Sequence, residues 1–258
     1  MSQPAHESDP PVAAPAYPQA IHLRPTAELA ERVLLPGDPG RALALAQTLL
    51  VKPLMFNHHR GLWGYTGDAV ADGEPLTIQA TGMGGPSAAI VLTELIALGA
   101  RRLIRTGTCG ALAPGLALGE LVVAREAICA DGASRALGAC ERVAADPALA
   151  EALLRAARAQ VDSSTRRRVH SGAVVSVDLF YDSRSLQHSP DALAIEMEAA
   201  SLFAVGAAAS VPVACILIVS DTFERNDPHP PTRTRIDDDS LLAAGEAMGA
   251  VAVSALSA

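Results

Sequence analysis

Aromatic side chains are scarce in this 258-residue chain: four Phe, three Tyr and one Trp make up only 3% of it. Half of the residues are nevertheless hydrophobic, enough for one large core or two small ones, so Ala, Leu and Val must fill the interior. Cysteine is equally sparse. Cys109, Cys129, Cys140 and Cys215 are scattered, with no CxxC spacing and no histidine paired with any of them. That pattern argues against a zinc site or a disulfide framework, and for free thiols in a reducing compartment. Lys and Arg form no long basic run, and the formal net charge is -8, which excludes an ordinary nucleic-acid binder. The longest apolar run, "VPVACILIVS", is too short to cross a bilayer. The first twenty residues are polar and rich in Pro and Ala, with no apolar stretch of the signal-peptide kind. The expectation is a disordered tail over 1–20, a single domain over 21–258, and a soluble cytoplasmic protein with no membrane partner.

What the chain does have is a succession of apolar runs that stop at small or polar residues. "RVLLPGDPG", "PLTIQATGMGGPS", "RRLIRTGTCGAL", "ELVVAREAIC", "RVHSGAVVSVD" and "VPVACILIVSD" read as strands. "AAIVLTELIALGA", "DPALAEALLRAARAQV", "AIEMEAASLFAVGAAAS" and the C-terminal "SLLAAGEAMGAVAVSALSA" read as helices, with Asp146 as an N-cap. Strands alternating with helices predict an α/β sandwich. There is no internal repeat and no linker that divides the chain.

In such folds ligands gather at the carboxyl edge of the strands. Gly37 and Asp38, Gly82, Gly84 and Gly85, Gly107 and Gly110, and Asp221 are all expected at strand ends. Any one of them alone reads best as an ordinary turn residue. "GMGGPS" is only a near miss to a dinucleotide loop, and without a Walker lysine it is not a P-loop. A different oddity stands out in "AIEMEAAS", where Glu196 and Glu198 straddle Met197 inside an otherwise apolar stretch. Buried carboxylates are costly unless something binds them. A helix dipole accounts for Glu196 alone; it accounts poorly for two acids framing a methionine.

Taken in order, "PGDPGRA", "HRGLWGYTG", "GMGGPSAAIVLTEL", "RTGTCGAL", "VDLFYDS", "EMEAASLF" and "IVSD" resemble the nucleoside phosphorylases of the hexameric purine nucleoside, uridine and methylthioadenosine type. The resemblance runs from about His22 to the C-terminal helix. It implies a three-layer α/β/α sandwich around a mixed central sheet that partly closes into a barrel, and a homo-oligomer built from dimers, commonly a hexamer. It implies phosphorolysis, in which inorganic phosphate replaces the base at C1′ of the sugar through an oxocarbenium-like state. Phosphate is then a co-substrate; no cofactor and no metal is expected.

By the same resemblance Gly37, Arg41, Arg105 and Thr108 clamp the phosphate, joined by Arg60 from a neighbouring subunit. Arginine suits that work because its planar fork binds phosphate oxygens in pairs. Glu198 would accept hydrogen bonds from the ribose hydroxyls, Met197 would pack on the sugar, and His22 would reach across a dimer to its 5′ end. Cys109, Gly110, Phe180 and Glu196 would surround the base, with Tyr181 beside them. Asp221 would give a proton to N7 of a departing purine, helped by either Arg233 or Arg235.

Four rivals share parts of this pattern. A uridine phosphorylase needs uracil-reading Gln and Arg residues, and between "DLFY" and "IEMEA" the only Gln is Gln187. A methylthioadenosine phosphorylase or a nucleosidase of the same fold remains, although a nucleosidase, which uses water, has no need of the clamp. A protein that binds nucleoside without catalysis has no need of Asp221.

Overall fold

Strand β1 (Arg32–Pro36) sends Val33 and Leu35 into one apolar cluster and Leu34 into another. The same alternation holds along β5 (Arg102–Ala111), β6 (Leu121–Cys129) and β10 (Val213–Phe223), where Cys215, Leu217 and Val219 go one way and Ile216 and Ile218 the other. Period-two alternation with both faces apolar means that both faces are covered. In this computed structural model, which describes residues 20–160, 168–181, 191–223 and 233–258, the covering helices fall into two layers. On one face lie α2 (Gly85–Leu98) and α5 (Ala199–Ala209), through Val91, Leu95, Leu202 and Phe203, with the short α3 (Gly132–Ala136) packed against both. On the other lie α1 (Pro39–Leu49), α4 (Pro147–Gln160) and α6 (Asp238–Leu256), through Leu45, Leu153 and Met248. The result is the expected three-layer sandwich. The expected tail falls almost wholly on 1–19, and Gln187 on 182–190, both outside the described residues.

The sheet extends on one side and closes on the other. Beside β1 run β4 (Pro75–Gln79), β3 (Gly64–Ala69) and β2 (Leu50–Asn57); β1 also pairs in parallel with β5. From there β5 pairs with β10, β10 with β6, β6 with β8 (Val169–Ser176), β8 with β9 (Ala194–Glu196), and β9 returns to β5. Five strands thus form a closed ring, which removes the exposed edges they would otherwise present. Two short strands sit outside it: β7 (Arg142–Ala144) on β6, and β11 (Arg233–Arg235) on β10.

Ring closure corrects two expectations. "AIEMEAAS" is not helical from its start: Ala194–Glu196 is a strand whose Ile195 pairs with both Gly110 and Val175, and α5 begins at Ala199. Gly107 and Gly110 lie within β5 rather than in a turn after it, because β5 continues past the carboxyl end of β1 to reach β9. α6 is long and apolar enough by composition to cross a membrane, but half of it is buried within the fold. Gly249 there lies so close to Leu45 that a Cβ would come within 2.5 Å of its methyl carbon.

Candidate active site

A cavity of about 750 Å³ opens where β1, β5, β8, β9 and β10 deliver their carboxyl ends or the residues just beyond them. Gly37, Arg41, Arg105, Thr108, Cys109, Gly110, Phe180, Glu196, Met197, Glu198 and Asp221 all line it. His22 and Arg60 do not.

Arg105 is the hub. It lies in β5 and is 4% exposed, with Nη2 paired to Glu198 Oε2 and Nε 3.2 Å from Glu196 Oε2. Burial alone would lower its pKa; the Glu198 and Glu196 charges more than offset that and hold it above the ordinary arginine value. Gly107 is required beside it, since a Cβ there would meet the Arg105 guanidinium at 2.7 Å. Arg41, in the first turn of α1, is held below its ordinary value, first by burial and then by the charge of Arg105. Each of these arginines keeps a buried Nη1 with no hydrogen-bond partner among the described residues. Two neighbouring cations with unused donors are what an anion would satisfy, because an unpaired buried donor is costly.

The two glutamates do different things. Glu196 is spent locally: it accepts the N–H groups of Glu198 at 2.9 Å and Ala199 at 2.9 Å and the Ser176 hydroxyl, capping the start of α5. Burial, and then the Glu198 charge working against the pull of Arg105, raises its pKa. Glu198 faces across the cavity wall, where its Oε1 accepts the Gly84 N–H at 2.6 Å. Gly84 starts α2 with a φ of +84° and no side chain to cap it, so the carboxylate occupies the positive end of that helix.

Asp221 is 6% exposed and takes the Ser220 hydroxyl on Oδ2 at 2.6 Å. Its Oδ1 lies 3.3 Å from Arg235 Nε and 3.9 Å from Arg233 Nε, neither contact having hydrogen-bond geometry. Phe223, two residues on and so on the same side of β10, lines the cavity with Ser220 and Leu179; the sequence reading passed over all three. For Phe223 the signal was available, since period two from Asp221 marks it. Cys109 is a buried thiol whose pKa burial, and then the Glu196 charge, raises. Among the described residues no cluster of three or more His, Cys, Asp and Glu is placed to hold a metal.

The segments that carry His22 and Arg60 meet through His59, and neither residue lines this cavity. The Glu94 carboxylate accepts the N–H groups of Ile21, His22 and Leu23 at 2.7 to 3.0 Å, and the His22 ring at 2.7 Å. The His22 carbonyl in turn meets the ring of His59, at 3.0 Å. Arg60, the next residue, is exposed and holds a left-handed backbone with φ +61°. Such a conformation is uncommon for a residue with a side chain.

The family model described as the Phosphorylase superfamily matches residues 31–257 of the chain. The chain is 37% identical over 202 residues to a protein of Oceanobacillus iheyensis named purine nucleoside phosphorylase DeoD-type, covering 75% of this chain and 83% of that one. Proteins of the same name are 36% identical in Geobacillus kaustophilus, over 76% of this chain and 83% of the relative, and in Roseobacter denitrificans, over 79% and 87%.

Proposed function

The chain belongs to the phosphorylase superfamily, and on that footing we propose that it phosphorolyses purine nucleosides to the free base and a pentose 1-phosphate. One observation carries this reading: a single cavity joins unpartnered guanidinium donors, a carboxylate that can take two hydroxyls, and a buried acid flanked by arginines.

In this account Arg41 and Arg105, with Gly37 and Thr108, bind phosphate and hold it for attack on C1′. Positioning of this kind, with fixed positive charge, is where most of the rate gain arises. Glu198 holds the sugar hydroxyls, with Met197 packed against the ring. Asp221 is the acid that passes a proton to N7 as the C1′–N9 bond breaks. Cys109, Gly110 and Phe180 border the base; Gly110 leaves room there, since a Cβ would strike the Phe223 ring at 2.8 Å. Glu196 contributes by fixing α5 and Arg105. The arginines supply the charge that the anion needs, so no cofactor is proposed.

Arg60 and His22 are assigned to a neighbouring subunit's site, which makes a dimer the smallest complete unit and a hexamer of three such dimers the proposed assembly. Unpaired thiols at all four cysteines suit a reducing cytoplasm. Among the rivals, a uridine phosphorylase has no use for an acid aimed at N7, and a nucleosidase has none for the clamp. The deciding experiment supplies inosine, guanosine, adenosine, methylthioadenosine and uridine, each with and without phosphate, and follows base release. Release from purines that depends on phosphate supports the proposal; uridine outrunning every purine, or equal rates without phosphate, contradicts it.

A further inference from the structure

Two arginines share the three-residue strand β11, and they face different neighbours. In its antiparallel ladder with β10, Arg235 stands opposite Asp221 and Arg233 opposite Phe223. Arg235 Nε is 3.3 Å from Asp221 Oδ1, whereas Arg233 Nε is 3.9 Å away, at the limit of an ion pair. The Arg233 guanidinium lies instead over two rings, 4.1 Å from the centroid of Phe180 and 5.2 Å from that of Phe223. Both distances are within the range of cation–π attraction. Phe180 follows the end of β8 and is 48% exposed. Among the described residues its ring contacts are with Arg233 and with Tyr181, which meets it edge to face at 5.1 Å and is itself 98% exposed.

Resting on the purine phosphorylase reading, we infer that the two arginines divide the work. The arginine that the purine reading places beside Asp221 is Arg235, and the new role is that of Arg233, a positioning residue that braces Phe180 against Phe223 as the walls of the base slot. In the reaction the C1′–N9 electron pair stays with the purine, a phosphate oxygen bonds to C1′, and the Asp221 proton moves to N7. A carboxylate remains at Asp221, and the Arg235 charge stabilises it as it forms. Arg233, stacked on the rings, sets how well the base is held. A flat guanidinium can stack in this way, and a lysine ammonium does so less well.

Steady-state kinetics on inosine and on N7-methylinosine, whose base leaves without gaining a proton, separate the two roles. Arg235→Gln lowers kcat for inosine by about tenfold or more, part of the usual effect of a general acid, and leaves N7-methylinosine within about twofold. Arg233→Leu raises KM for both nucleosides by about five- to tenfold, with kcat within about threefold, and Arg233→Lys recovers part of the loss. In the ligand-free protein, amide exchange over residues 177–181 quickens in Arg233→Leu and is unchanged in Arg235→Gln. Exchanged roles, or an Arg233→Leu protein with unaltered KM and unaltered exchange, overturn the division. A wild-type protein inactive on all purines overturns the functional reading instead, while amide exchange still decides whether Arg233 braces Phe180.

Discussion

Arg105 and Glu198 form an ion pair in the cavity wall, with 4% and 6% of each residue left to solvent. The group assigned to phosphate and the group assigned to the sugar are therefore one electrostatic unit. Removing the Glu198 charge strands a buried cation. Glu198→Gln should lose about 3 kcal/mol in denaturant unfolding, the low end for a broken buried pair, because Glu196 still faces Arg105 at 3.2 Å. Phosphate gives the stranded guanidinium a new partner, so the deficit should shrink in phosphate buffer relative to chloride. An equal deficit in both buffers would separate phosphate from Arg105.

Glu94 anchors the segment that carries His22. Burial works to raise its pKa, but hydrogen bonds from the His22 and Leu23 N–H groups outweigh burial and hold it below the usual carboxylate range. A depressed folded pKa means stability that is present above the unfolded value, near 4.3, and is lost as pH falls through the folded one. Urea unfolding followed downward from pH 6 should show wild type losing stability more steeply than Glu94→Gln. Parallel slopes would remove Glu94 from the account.

Three of the four cysteines are buried, and burial is the first cause raising the thiol pKa of Cys109, Cys129 and Cys215. Only Cys140 is exposed. A thiol reagent at neutral pH should titrate one group quickly in the native protein and all four after unfolding. Rapid loss of Cys109 would mean that the cavity wall opens more than its packing implies.

If Arg60 completes a neighbour's site, chains defective in different parts of it should repair one another. Mixing Arg60→Ala with Asp221→Asn chains assembles one site with both residues and one with neither. Verified mixed dimers should recover about half the activity of wild type, by counting intact sites. Mixed dimers no more active than their parents would return Arg60 to the role of a surface loop residue.

The sequence was most legible where the chain is most buried. β1, β5, β6 and β10 are apolar runs with clear stops, and Asp146 caps α4 through a 2.8 Å bond to Leu149. It misled where ring closure overrides composition: Ala194–Glu196 has the residues of a helix but is held as strand by β5 and β8. The short strand β11 was not read at all, because three polar residues show no periodicity; it exists through pairing with β10. At the site, the helix-dipole explanation weighed for Glu196 describes its hydrogen bonds well, whereas Glu198 meets the Gly84 N–H and the Arg105 guanidinium, partners too far away in the chain to be read from its own stretch. The stacking of Arg233 on Phe180 depends on residues 53 positions apart and leaves no local signal.

In the proposed reaction phosphate, held by Arg41 and Arg105, attacks the sugar. Phosphorus NMR of inosine turnover, with free base measured in parallel, identifies the nucleophile. One pentose 1-phosphate should form and one inorganic phosphate be consumed for each hypoxanthine released. Base released with free ribose, and with inorganic phosphate unchanged, would make water the nucleophile and contradict it.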